Sequence, residues 1–176
     1  MLLGVMTQGG LSLGALVYYV ITYGLTTLGA FGVVAVVQDA AGGDRLSDFA
    51  GLSRRAPVLA LCMMVFMLSL AGIPPLAGFF GKFYLFSAAL GSPADGLGLL
   101  WLVILAIAMS AVSLYYYLQV LKQIYIADPL ASANSASVPL LSQTVLVLLA
   151  LAVITLGCAP ELLVGKLIGA LRLAGI

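Results

Sequence analysis

The 176-residue chain contains no histidine, and only 7% of its residues are charged. Without histidine it lacks the commonest metal ligand and the usual general base at neutral pH. Seven basic and six acidic residues leave a net charge of +1, so there is neither a basic face for nucleic acid nor an acidic tail. Cysteine is scarce too. Cys62 and Cys158 fall near opposite ends of two apolar runs, where a bond between them would have to cross a bilayer, so both read as packing residues. Nothing resembles a glycine-rich phosphate loop, a cysteine cluster for iron and sulfur, or a hydroxyl, base and acid set for nucleophilic catalysis. Charge is the most telling scarcity, because a soluble domain carries about a quarter charged residues.

What the chain has instead is apolar surface, with 64% hydrophobic residues and a mean hydropathy of +1.24. No charge occurs from Met1 to Gln38, Ala56 to Gly81, Gly96 to Leu121, or Pro129 to Pro160. Each run is long enough to cross a hydrocarbon core about 30 Å thick. Their apolar character is continuous, which fits buried helices and not the ten-residue alternating strands of a membrane barrel. The expected fold is an all-α membrane protein with about four spans, near residues 11–37, 57–90, 97–126 and 140–157.

The segments between spans carry most of the charge. QDAAGGDRLSDFAGLSRRA, Gln38 to Ala56, holds six charged residues. Leu46, Phe49 and Leu52 recur there at a spacing of three, which predicts a short amphipathic helix on the membrane surface. Gly91 to Gly96, with Pro93 and Asp95, reads as a tight connection, and the Ser- and Ala-rich stretch Ala127 to Pro139 as a mobile one. Residues 161–176 follow Pro160 and place Glu161, Lys166 and Arg172 among leucines, as in a tail lying along an interface. Arg45, Arg54, Arg55 and Lys122 outnumber Lys166 and Arg172, which puts the 38–56 loop and the third loop on the cytoplasmic side. Met1 to Thr7 is apolar and only about two turns long; it reads as the end of a helix whose beginning is missing, or as a short interfacial coil.

One stretch carries a candidate for chemistry. Between Ala56 and Ala94 the single charge is Lys82, within LSLAGIPPLAGFFGKFYLF, Leu68 to Phe86. A lysine at membrane depth costs several kcal/mol, from about 2.5 upwards. It can snorkel, but eight residues to the end of the span is about 12 Å of helix, more than its stem comfortably covers. The same stretch interrupts its own helix: Pro74 and Pro75 remove two amide donors, and Gly72 and Gly78 lower helical preference on either side. Irregular backbone at this depth is tolerated only inside protein or beside a water-filled cavity. A broken helix carrying a lysine therefore predicts a buried polar pocket where protons can exchange, the bland alternative being a packing kink. Lys122, in YYYLQVLKQIY, is a second pathway candidate or an interfacial anchor beside an aromatic belt. Ser110, Ser113 and Gln119 can bond to a water chain or to neighbouring helices, and Thr22, Thr26 and Ala30, four apart, predict a close-packing stripe.

YYVITYGLTTLGAFGVV (Tyr18 to Val34), DRLSDFAGLSRRAP (Asp44 to Pro57), the Leu68 to Phe86 block and SLYYYLQV (Ser113 to Val120) resemble, in order and spacing, the C-terminal part of the antiporter-like chain N family of respiratory complex I, the proton-pumping NADH:quinone oxidoreductase. The resemblance implies a fourteen-helix fold of which this chain looks like the last four helices, with the broken one as the family's twelfth. It implies that Lys82 is the lysine beside that break, the member of a buried charge chain nearest the far-side exit. The buried glutamate and lysines of earlier helices have no counterpart here, so the resemblance implies a fragment, with Met1 an internal methionine used as a start. It further implies no cofactor on this chain, with flavin, iron-sulfur clusters and quinone in partner subunits. The implied setting is the bacterial inner membrane, with lipid and other membrane-arm subunits as partners. A subunit of a multi-subunit sodium/proton antiporter and a non-transporting structural membrane piece are the alternatives.

Overall fold

The computed structural model describes residues 10–90, 100–129 and 139–173. The readings of Met1 to Thr7 and of Gly91 to Gly96, and most of the Ala127 to Pro139 connection, lie outside them. Among the described residues there are helices and turns and no strand. Helix α1 is Gly10–Ala41, α2 Leu52–Arg55, α3 Pro57–Ala71, α4 Ala77–Leu90, α5 Leu100–Tyr125, α6 Leu140–Cys158 and α7 Glu161–Leu173. Leu13–Ala40, Leu100–Tyr125 and Leu140–Cys158 are long and apolar enough to cross a membrane. Helices α3 and α4 are apolar but short; 15 residues reach only about 22 Å. The continuous apolar stretch that contains them is divided in two at Gly72 to Leu76.

Helix α1 is the hub, packing on α3, α4, α6 and α7. Its inner stripe is Tyr18, Thr22, Thr26, Ala30, Val33 and Val37, all buried at helical spacing. Gly29 lies against the fully buried Phe66 ring of α3, so the absence of a side chain sets how closely these two helices approach. Beyond Val37 the helix continues through Gln38 and Asp39 to Ala41, and Gly42, with φ +72°, closes it by donating to the Gln38 carbonyl at 2.8 Å.

The segment expected to form one amphipathic surface helix is two short pieces instead. A 3₁₀ turn, Leu46–Phe49, is separated from α2 by Gly51, whose φ of +63° no continuous helix accepts. The periodicity was real but its use is different: Phe49 and Leu52 are buried in the main core, and only Leu46 stays exposed. Arg55 holds the bend from inside, donating to the Asp48 and Ala50 carbonyls at 2.7 and 3.2 Å. Gly51 N–H reaches the Gln123 carbonyl at the end of α5, 3.2 Å away.

Helix α5 packs mainly on α3 and touches α4 lightly. Only Val103 and Ile124 of its residues are buried. Helix α6 packs on α1, α3 and α4, and its Leu156 carbonyl, left over near the helix end, accepts the Tyr18 hydroxyl at 2.8 Å. Helix α7 turns back onto α1 after Pro160.

Candidate functional site

Helix α3 ends in a Schellman motif. Ile73 N–H bonds the Leu68 carbonyl and Gly72 N–H the Ser69 carbonyl, both at 3.0 Å, and Gly72 takes φ +85°. The chain then turns through Pro74 and Pro75, joined by a cis peptide, and Leu76 N–H returns to the Ile73 carbonyl at 3.2 Å before α4 begins. Ser69 spans the break: its Oγ accepts Gly78 N–H, an orphan donor of the first turn of α4, at 3.1 Å, and lies 3.4 Å from the Thr26 hydroxyl of α1. On the other side Gly157 of α6 packs directly against the backbone of Pro75, Leu76 and Ala77. The two ends of the irregular backbone are thus packed against protein, on Ser69 and on Gly157, while Pro74 and Pro75 between them are exposed.

The Schellman motif leaves the carbonyls of Leu70 and Ala71 without helical donors. Lys82, in the second turn of α4, leans back across Gly72 and donates to both, at 2.9 and 3.2 Å, and to Ser110 Oγ of α5 at 2.7 Å. An ammonium has three donors and no acceptor; here all three are used. The charge lies at the negative end of α3, where the helix dipole favours it. Lys82 therefore does not snorkel towards the end of its span. No salt bridge to it occurs among the described residues; the one found joins Arg54 and Asp128.

A cavity of about 300 Å³ opens beside Lys82, lined by α1, the end of α3, α4 and α5. Its hydroxyls come from Thr22, Thr26, Ser69, Ser110 and Ser113, with Tyr19, Tyr23 and Tyr117 around them, and no carboxylate among the described residues lines it. Such a chamber can hold water in contact with the lysine.

Of the residues singled out from the sequence, the structure brings together Lys82, Gly72, Gly78, Ser110 and Ser113. Pro74 and Pro75 shape the turn while staying exposed. Lys122 is not part of this cluster: it is exposed in the last turn of α5, twelve residues and about 18 Å along the helix from Ser110. Thr22 and Thr26 are close-packed as expected, but they also line the cavity. Ser69 was missed, although it is the only serine or threonine between Pro57 and Phe86, a polar exception that signals a role.

Residues 1–110 match the family described as NADH:quinone oxidoreductase/Mrp antiporter, TM. The chain belongs to that family. Among relatives in this antiporter family, NADH-quinone oxidoreductase subunit N 2 of Acidobacterium capsulatum is 55% identical over 163 residues, 93% of this chain and 33% of the relative. The protein of the same name from Herpetosiphon aurantiacus is 45% identical, covering 94% of this chain and 29% of the relative. A chain of respiratory complex I from Thermus thermophilus, solved with bound aureothin, superposes with a TM-score of 0.70 at 32% identity, over 90% of this chain and 36% of that one. The chain spans about a third of the length of the curated relatives it matches.

Proposed function

We propose that this chain forms part of a proton-translocating membrane subunit of an NADH:quinone oxidoreductase, with Lys82 as a proton carrier. The observation that carries this reading is the environment of Lys82. Its charge is held by two helix-end carbonyls and a hydroxyl, with no carboxylate among the described lining residues, so no fixed negative charge ties the proton in place. The adjoining cavity gives that proton a route to water. The Lys82 Nζ–H bond breaks towards a cavity water, the electron pair stays on nitrogen, and the positive charge leaves with the proton; the reverse step reloads the site.

Neither electron transfer nor nicotinamide binding is assigned to this chain. Flavin, iron-sulfur centres and quinone belong to partner subunits in this reading, and other membrane-arm subunits flank the apolar face of α5. The setting is the bacterial inner membrane, with the 38–56 loop on the cytoplasmic side. Lys122, exposed near Tyr125, serves as an interfacial anchor.

The test is Lys82→Met in the full-length subunit within the assembled complex, with proton uptake measured in vesicles alongside NADH oxidation. Fewer protons per NADH are expected at normal assembly. An unchanged ratio in an assembled complex would sink the reading, and transport that requires sodium would move it to an exchanger.

A further inference from the structure

Ser110, like Ser69 at the break, does not spend its hydrogen on its own helix among the described residues. Ser113, Thr22, Thr26, Thr144 and Thr155 each donate to a carbonyl of their own helix three or four residues back. That is the usual way to satisfy a hydroxyl where water is scarce. Ser110 Oγ makes no such bond among the described residues. It accepts from Lys82 Nζ at 2.7 Å, the shortest of the three lysine bonds, and its own hydrogen stays uncommitted beside the cavity.

This matters when the lysine changes state. As an ammonium, Lys82 donates three hydrogens to three acceptors. As an amine it has two hydrogens and one lone pair, so keeping all three bonds to the protein needs one partner to change from acceptor to donor. Backbone carbonyls only accept. The Leu70 and Ala71 oxygens can keep the two remaining hydrogens, but neither can serve the lone pair. A hydroxyl does both, and needs only a rotation about its C–O bond.

We infer that Ser110 is a positioning residue for proton exchange at Lys82, keeping the nitrogen fully hydrogen-bonded in both protonation states by reversing the direction of one bond. For release, the hydrogen that Nζ directs at Ser110 turns to a cavity water and leaves as a proton, its electron pair staying on nitrogen as the lone pair; Ser110 then rotates its own hydrogen onto that lone pair. No helix has to move between the two states. Tyr19, Tyr23 and Tyr117 also line the cavity, from α1 and α5, but none bonds Lys82 among the described residues.

The inference rests on the proton-carrier reading of Lys82, and the experiment separates the two. Ser110→Ala, Ser110→Thr and Lys82→Met are made in the full-length subunit of the assembled complex, and protons moved per NADH oxidised are compared at matched assembly. Loss in Ser110→Ala, with recovery in Ser110→Thr, is expected, since threonine keeps the hydroxyl at a position that borders the cavity. A structural role would not be rescued by the bulkier residue. Ser110→Cys keeps the volume but bonds weakly and is expected to lose pumping as well, which covers the case in which the alanine variant fails to assemble. If Lys82→Met loses pumping while Ser110→Ala and Ser110→Cys keep it, the inference is wrong and the reading of Lys82 stands. If Lys82→Met pumps normally, both fall.

Discussion

Gly78→Ala should damage the helix break more than its single methyl group suggests. A Cβ at this position would collide with the Ser69 carbonyl, with the carbonyl carbon only 2.8 Å away. The obstacle is backbone, which cannot swing aside as a side chain does, so the end of α3 and the start of α4 must part. Overpacking of this kind costs about 1–3 kcal/mol. Parting also stretches the Gly78 N–H bond to Ser69 Oγ, now 3.1 Å, worth about another 0.5–1.5 kcal/mol. Gly24→Ala is the matched control: it lies within α1, a Cβ there meets nothing within 4 Å, and removing a helical glycine gains up to about 1 kcal/mol. The two variants should differ by about 2–5 kcal/mol, on the order of 5–15 °C in melting temperature for a chain of this size. Thermal unfolding of the purified variants in detergent micelles measures the gap. A Gly78→Ala protein that melts at or above Gly24→Ala would refute the packing described for the break.

The loop arginines should separate in the same way. Arg55→Ala removes the donor to the Asp48 and Ala50 carbonyls and should cost about 1–3 kcal/mol locally, seen as faster protease nicking between Gly42 and Gly51. Arg54→Ala removes an ion pair whose side chains are 62% and 87% exposed, and should change stability by less than about 1 kcal/mol with nicking unaltered. Equal nicking in the two variants would mean that Arg55 does not hold the bend.

The all-helical membrane fold and the break in it were legible because they depend on strong, local signals. Apolar runs of bilayer length leave few other structures, and two adjacent prolines between glycines cannot continue a helix. The contacts that build the candidate site were not legible, because they join residues far apart in the chain. That Lys82 turns back to Leu70 and Ala71, and that Ser110 meets it from α5, depends on how α4 and α5 are set against α3. The stripe of Thr22 and Thr26 was read as packing alone, since spacing reveals a shared face but not that the face borders a cavity. In the 38–56 loop the threefold spacing identified the apolar side chains but misassigned their environment. The left-handed Gly51 breaks the helix and turns Phe49 and Leu52 into the protein core and away from lipid.

Release of a proton from Lys82 demands more of the side chain than a positive charge held beside the break. Lys82→Arg tests this most directly, because a guanidinium keeps the charge and the donors yet does not deprotonate in proteins. In the assembled complex, with protons moved per NADH oxidised as the readout, Lys82→Arg is expected to lose pumping as Lys82→Met does. Pumping at the wild-type ratio in the arginine variant would contradict release of a proton from Lys82.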